Sequence, residues 1–281
     1  GGIIPIVWNF LAMQKALQSY LHTYSYGNAT WEELIKIINI QIDEDISDWS
    51  KVWMEEPGMP DYAFDIQNNL VTIQQSDPDN IERVWPNQMK IEVNDKIQIL
   101  KFDEEHLTHM VSFNESFYPN KDGFSYGNII IPQNVIMSQL PTLAKSFHSY
   151  DELKKTSLLF MLYENFLNLR VPAEEFAGFL MNVIPDETNP VLISKEIGYL
   201  EEVYSKFMTE PVKKKYEKEI FNLLWNEFQK RDASQKKTIF NSLAVFSQGT
   251  DIQKIKDIWM NSGINDFRLS EEDEISTAFQ L

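Results

Sequence analysis

The segment Pro57-Gly58-Met59-Pro60 separates two hydrophobic patterns that no single element can satisfy. Before it, from Pro5 to about Glu56, apolar residues recur at helical spacing. After it, from Asp61 to Pro132, they recur at every second residue, and from about Val135 the helical spacing returns and persists. Two prolines and a glycine in four residues end a helix and open a new element. A chain of 281 residues with this double change is expected to be an α+β multidomain protein. The expected parts are a short helical segment over 1–60, a small antiparallel β-sandwich over 61–132 and a helical domain over 133–281.

Local signals refine each part. Val7, Phe10, Leu11, Leu17, Tyr20 and Leu21 predict the apolar faces of a first helix that Gly27 terminates. Thr30 with Glu33 forms a capping box for a second helix from Trp31 to about Ile38, and Ile46, Trp49, Val52 and Trp53 predict a third. In the strand region Tyr62, Phe64 and Ile66 alternate, Asn68-Asn69 makes a turn, and Leu70 to Gln75 returns. Met89, Ile91 and Val93 pair across Asn94-Asp95 with a strand carrying Ile97 and Ile99, and Phe124 to Ile131 reads as a last strand. Ser149 with Glu152, Pro172, Pro190, and Thr250 with Gln253 mark helix starts farther on. Ser270 before Glu271-Glu272-Asp273-Glu274 marks one more. Short helices with brief polar links fit a helix-pair solenoid, read from helix count rather than from an internal repeat. The chain stops at Leu281 inside an apolar face, where a solenoid normally has a polar capping repeat, so this end is expected to be a truncation.

Charge and composition narrow the function classes. Lys and Arg number 25 against 42 Asp and Glu, a formal charge of −17, which disfavours nucleic acid or an anionic membrane as partner. Lys213-Lys214-Lys215 is most simply a solvated helix face. With no cysteine, disulfides, thiolate zinc sites and cysteine nucleophiles are excluded. No apolar run has membrane-spanning length.

Candidate chemistry is sparse. Of the four histidines only His106 and His109 are close in sequence; on a helix they would share a face and chelate a metal weakly, whereas the plainer reading is a solvated loop or short helix beside a strand. Asp43-Glu44-Asp45 and Glu271-Glu272-Asp273 read as exposed helix starts rather than catalytic carboxylates. Trp8, Tyr20, Tyr24, Tyr26, Trp31, Trp49 and Trp53 read as core packing, with a side-chain pocket as the alternative. No His-Glu-x-x-His, Gly-x-Ser-x-Gly, P-loop or dinucleotide fingerprint occurs.

Several stretches nevertheless resemble one family. Ala16-Leu17-Gln18-Ser19-Tyr20-Leu21, Tyr26-Gly27-Asn28-Ala29-Thr30 and Trp53-Met54-Glu55-Glu56-Pro57-Gly58-Met59-Pro60 resemble the end of the catalytic domain in aminopeptidase N-type (gluzincin) zinc aminopeptidases. Tyr118-Pro119-Asn120-Lys121-Asp122-Gly123-Phe124-Ser125-Tyr126-Gly127 resembles that family's turn from a β-sandwich into a helical domain; Trp85-Pro86 is a weaker likeness. Leu169 to Phe176, Ile184 to Asn189 and Phe267 to Asp273 resemble pieces of its armadillo or HEAT-like C-terminal domain.

The resemblance implies that residues 1–60 are the terminal helices of a peptidase domain, 61–132 a spacer and 133–281 an α-solenoid bounding a substrate chamber. The implied parent is a hydrolase that removes N-terminal residues from peptides, with one zinc held upstream of this chain. The chain itself is then expected to hold no catalytic or metal-binding residue, to carry no cofactor, to be inactive alone, and to have the upstream catalytic domain and peptide substrates as partners. Arg170 is the candidate substrate-channel residue, since guanidinium can hold a peptide carboxylate; the alternative is a helix-end cation complementing the dipole. The rival expectation is a catalytically dead relative whose solenoid is a protein-interaction scaffold. Localisation is open on these residues, with the habit of secreted bacterial peptidases favouring the cell envelope or periplasm over the cytoplasm.

Overall fold

The computed structural model describes residues 10–42, 45–114, 117–247, 249 and 251–280. The chain divides into two compact units, residues 1–132 and 133–281.

The first unit opens with three helices, α1 (Phe10–Thr23), α2 (Trp31–Ile42) and α3 (Ser47–Ser50), the last running on as a π-turn over Lys51–Glu55. The capping box is formed: the Thr30 amide donates to Glu33 Oε2 at 2.7 Å and the Glu33 amide to Thr30 Oγ1 at 3.3 Å. Ala16, Ile35, Ile38 and Ile46 make a shared core, flanked by Met13, Leu34, Ile37, Ile42 and Trp49. The expected apolar face of α1 is corrected here. Leu11, Leu17 and Leu21 are exposed, and the inward side carries Ala12 and Ala16, whose small side chains let α2 approach closely. Val7 and the side chain of Phe10 lie outside the described residues.

The strands are β1 (Asp61–Gln67), β2 (Leu70–Ser76), β3 (Asn87–Val93), β4 (Lys96–Phe102), β5 (Thr108–Ser112), β6 (Phe117–Tyr118) and β7 (Asn128–Ile130). They form two sheets, in the orders β5-β2-β1-β7 and β4-β3-β6. Both hairpins turn on residue pairs with positive φ, Asn68-Asn69 and Asn94-Asp95, the geometry that matches the twist of flanking strands. The sheets meet through side chains of alternate residues: the Tyr62 ring lies 5.0 Å from Phe102 and Phe64 lies 5.9 Å from Phe117. Buried Gln75 joins them to the intervening loop, its side chain donating to Trp85 O at 2.9 Å and accepting from Trp85 N at 3.0 Å.

Two strand expectations are corrected. Ile97 and Ile99 do not face the core. The two-residue turn pairs Val93 with Lys96, which sets Leu100 opposite Met89 and Phe102 opposite Asn87; Leu100 and Phe102 are buried, and Ile97 and Ile99 sit on the solvent side. The sheet is not wholly antiparallel either, because β7 pairs parallel with β1. That strand is shorter than Phe124 to Ile131. Asn120, Asp122 and Gly123 adopt positive φ before it, and Gly127 at φ +149° brings the chain in against Tyr62. Tyr126 is exposed, with its ring 6.2 Å from Trp53.

The second unit contains α4 (Gln133–Ser146), α5 (Glu152–Leu167), α6 (Ala173–Val183), α7 (Pro190–Glu202) with a π-turn over Val203–Phe207, α8 (Glu210–Lys230), α9 (Ala233–Phe246) and α10 (Asp251–Met260). A hairpin, β8 (Gly263–Ile264) and β9 (Phe267–Arg268), precedes α11 (Glu271–Gln280). Helices pack as α5 on α6, α6 on α7, α7 on α9 and α8 on α9, around rings such as Phe176, Phe221, Phe240 and Phe246. Starts are capped where Asn189, Asp232 and Ser270 stand. At α5 the cap is Asp151 rather than Ser149, whose hydroxyl instead closes the preceding 3-10 turn, and Pro172 is the cap residue of α6 rather than its first helical position. Thr250 lies outside the described residues.

The end of α5 is a Schellman motif. The Arg170 amide reaches back to Asn165 O at 2.8 Å and the Leu169 amide to Phe166 O at 2.9 Å, with Leu169 left-handed at φ 61°. Leu169 is 83% exposed, so little burial offsets the steric cost of that conformation. Leu169→Gly should therefore stabilise the second unit by about 1 kcal/mol in denaturant unfolding. Gly127→Ala should destabilise the first unit by about 3 kcal/mol in the same assay, because its Cβ would fall 2.5 Å from Tyr62 Cε2 and 2.8 Å from Pro60 O.

Candidate functional site

The sequence-level candidates scatter. His106 sits in the turn after β4, its Nδ1 2.8 Å from Asp103 Oδ1, while His109 lies on β5 with Nε2 2.6 Å from Lys101 O. The pair is not helical and each ring has its own partner. Among the described residues no group of three or more His, Asp or Glu side chains is placed to hold a metal ion. Of the acidic run, Asp43 and Glu44 lie outside the described residues, and Asp45 accepts from the Ser47 amide at 2.9 Å as a local turn. The aromatic group disperses as well. Trp49 joins the α1–α3 core, Trp53 donates to Pro86 O at 3.0 Å, Trp31 donates to Ser50 Oγ at 2.6 Å, and Tyr26 is fully exposed; Trp8 lies outside the described residues. Lys215 pairs with Glu174 and Lys213 with Glu210.

Arg170 closes the α5 terminus through its backbone, and its half-buried side chain has Nη1 enclosed without a hydrogen-bond partner. A guanidinium can only donate, to carboxylate or carbonyl oxygens, and the enclosed Nη1 is a donor left without an acceptor.

The densest electrostatic site was not legible in sequence, because its members are spread from position 148 to 231. Its centre is Glu187, at the 3-10 turn ahead of α7, with a side chain wholly out of solvent. Lys155 on α5 donates to both of its oxygens, at 3.0 and 2.8 Å, and the amides of Thr188 and Asn189 each donate to Oε1 at 2.8 Å. Burial alone would raise this carboxyl. The Lys155 ammonium and the two amides outweigh it and hold the group below the ordinary carboxylate range. His148 Nδ1 approaches Glu187 Oε2 to 3.9 Å. Arg231, just past α8, donates to Glu187 O at 2.7 Å and Ile184 O at 2.9 Å while its Nε meets Glu227 Oε2 at 3.1 Å.

Beside this network, Glu196 on α7 is 0% exposed, and neither carboxyl oxygen has a hydrogen-bond partner. Burial pushes it up to about 8, the Glu187 charge adding to the effect and Lys155 and Arg231 opposing it. The cluster thus contains one buried carboxylate with every donor it needs and one buried acid with none. Lys155 is engaged by Glu187 and Arg231 by Glu227 and two backbone carbonyls, which leaves neither on Glu196.

No family model matches the chain. It is similar to the Tricorn protease-interacting factor F2 of Thermoplasma volcanium, with 23% identity over 193 residues; these are 66% of this chain and 23% of that protein's length. The match therefore spans less than a quarter of the relative.

Lys155→Met leaves the Glu187 carboxylate buried without its cation and should cost about 3 kcal/mol near neutral pH. A carboxyl held low in the folded state stabilises above its unfolded value, and that contribution is lost as pH falls through the folded value. The penalty of Lys155→Met should accordingly shrink as Glu187 becomes protonated, which denaturant unfolding from about pH 3 to about pH 7 measures.

Proposed function

We propose that this chain is the C-terminal part of a zinc-dependent aminopeptidase, with the catalytic machinery on residues outside it. The observation that carries the reading is the order of motifs along the folded chain. The Gly-Asn-Ala-Thr turn caps α2, Pro57-Gly58-Met59-Pro60 leads out of the helices into β1, and Tyr118 to Gly127 leads from β6 into β7, the last strand before the helical unit begins at Gln133. The likeness to a protease-interacting factor over two thirds of the chain points the same way.

In this reading the α1–α3 helices complete a peptidase domain. The exposed apolar residues Leu11, Leu17 and Leu21 form the face that preceding parts of that domain would cover. The two sheets are a spacer, and the helical unit is a solenoid that bounds the chamber through which peptides reach the zinc. When bound, that zinc would activate water against the scissile carbonyl. In this reading the part of the present residues is to shape access to it. Arg170, half-buried just past the end of α5, is the residue of this chain proposed to meet the peptide's carboxylate end, through the part of its guanidinium other than the enclosed Nη1.

The test uses the full-length protein. One bound zinc and hydrolysis of aminoacyl arylamides are expected, and absence of both would reject the aminopeptidase reading in favour of a catalytically dead scaffold. Within the active protein, Arg170→Ala should raise KM for peptides by about tenfold, the worth of one lost charge-assisted hydrogen bond, and leave kcat nearly unchanged. Steady-state kinetics on peptides of graded length read this effect, and an unchanged KM would remove Arg170 from the channel.

A further inference from the structure

We propose that Glu196 is a proton-controlled latch in the helical unit: as a neutral acid it lets α7 close on its neighbours, and on ionising it competes with Glu187 for Lys155 and Arg231 and loosens that junction. The geometry leads there in three steps. Glu196 is completely enclosed, with buried Leu192, Ile193, Ile197 and Leu200 on the same helix. Its two oxygens have no donor, and an ionised carboxylate in such a place carries a desolvation cost that only a cation can offset. The cations close enough to act on it are Lys155 and Arg231, both engaged, Lys155 with the Glu187 carboxylate and Arg231 with Glu227 and two backbone carbonyls.

The other charges on packed elements are committed elsewhere. On α9, Lys236 pairs with Asp266 and Lys237 with Asp273; on α6, Glu174 pairs with Lys215 and Glu175 is exposed; on α5, Lys154 lies over the Tyr150 ring. Glu227 holds both Arg231 and Lys230, and His148 stands against Glu187. Ionisation at Glu196 thus cannot be absorbed locally. It has to draw Lys155 from the Glu187 carboxylate or Arg231 from the Glu187 and Ile184 carbonyls, the contacts that join α5, the head of α7 and the end of α8.

The sign follows from linkage. An acid raised in the folded state is protonated there while the unfolded chain has already ionised, so stability declines as pH rises from the unfolded value and the loss is complete above the folded one. Between about pH 4.5 and about pH 8 this group alone should lower the folded-to-unfolded ratio by roughly a thousandfold.

Amide exchange on the 281-residue chain tests the latch. Protection in α5, α7 and α8, corrected for intrinsic exchange, should fall by at least about tenfold more in wild type than in Glu196→Gln as pH rises from about 6 to about 9. Amides of α1 and α2 should report no difference between the two proteins. Identical pH profiles in α7 would overturn the proposal. If Glu196→Gln does not fold, Glu196→Met takes its place, and the side-chain carboxyl resonance of Glu196 in wild type is read directly by carbon NMR. A midpoint near pH 8 accompanied by shifts at Lys155 supports the latch; a midpoint in the ordinary carboxylate range overturns it.

Discussion

The Glu187 carboxylate is the point on which the helical unit depends. One side chain accepts from an ammonium on α5 and from the two amides just ahead of α7, while its own carbonyl accepts from the guanidinium just past α8. Each donor would otherwise be an unsatisfied polar group inside an aromatic core, so the site satisfies several buried groups at once. Pairing a buried charge this way adds little net stability over apolar packing, yet removing one member leaves an uncompensated charge. The pair joins α5 to the head of α7 through a contact with defined partners, which apolar rings packing side by side do not have. Glu196 shows the cost of that arrangement: with both cations engaged, a second carboxyl can be buried only as the acid.

The first unit is governed by backbone conformation instead. Its hairpins and its entry into β7 use positive φ at Asn68, Asn69, Asn94, Asp95, Asn120 and Asp122, residue types whose short polar side chains tolerate that region. Gly127 is the extreme case, since a Cβ there would collide with the Tyr62 ring that seals the two sheets together. The turn motif that resembles a zinc-aminopeptidase junction is thus also the segment where the geometry is least tolerant. Its residues can be kept for folding alone, and the proposed function does not rest on that motif by itself.

Several sequence readings failed for one physical reason. Leu11, Leu17 and Leu21 on α1, and Ile97 and Ile99 on β4, are apolar residues at the right spacing that face away from the core of their unit. Periodicity names a stripe but not which of two stripes turns inward; on α1 that was settled by the close fit of Ala12 and Ala16, and on β4 by the register that the Asn94-Asp95 turn imposes. The β8–β9 hairpin escaped because Asn265-Asp266, the same signal as Asn94-Asp95, lies in a helical background; in the fold Asn265 turns the chain with φ 52°. Ser149 against Asp151 as cap shows that adjacent polar residues compete for one position, and the preceding 3-10 turn takes the serine.

Alternation, breakers and capping residues are local, so they were readable in the residues themselves. They placed helices before Pro57, strands between Asp61 and Pro132 and helices after, and they identified most of the turns. The charge cluster could not be read that way. His148, Lys155, Glu187, Glu196, Glu227 and Arg231 are ordinary residues at unrelated spacings, and nothing in their order signals burial. Only folding the helical unit removed water from them, which pushes both carboxyls up; the Lys155 ammonium and two amides outweigh that at Glu187 and hold it low, while Glu196, with no donor, stays raised.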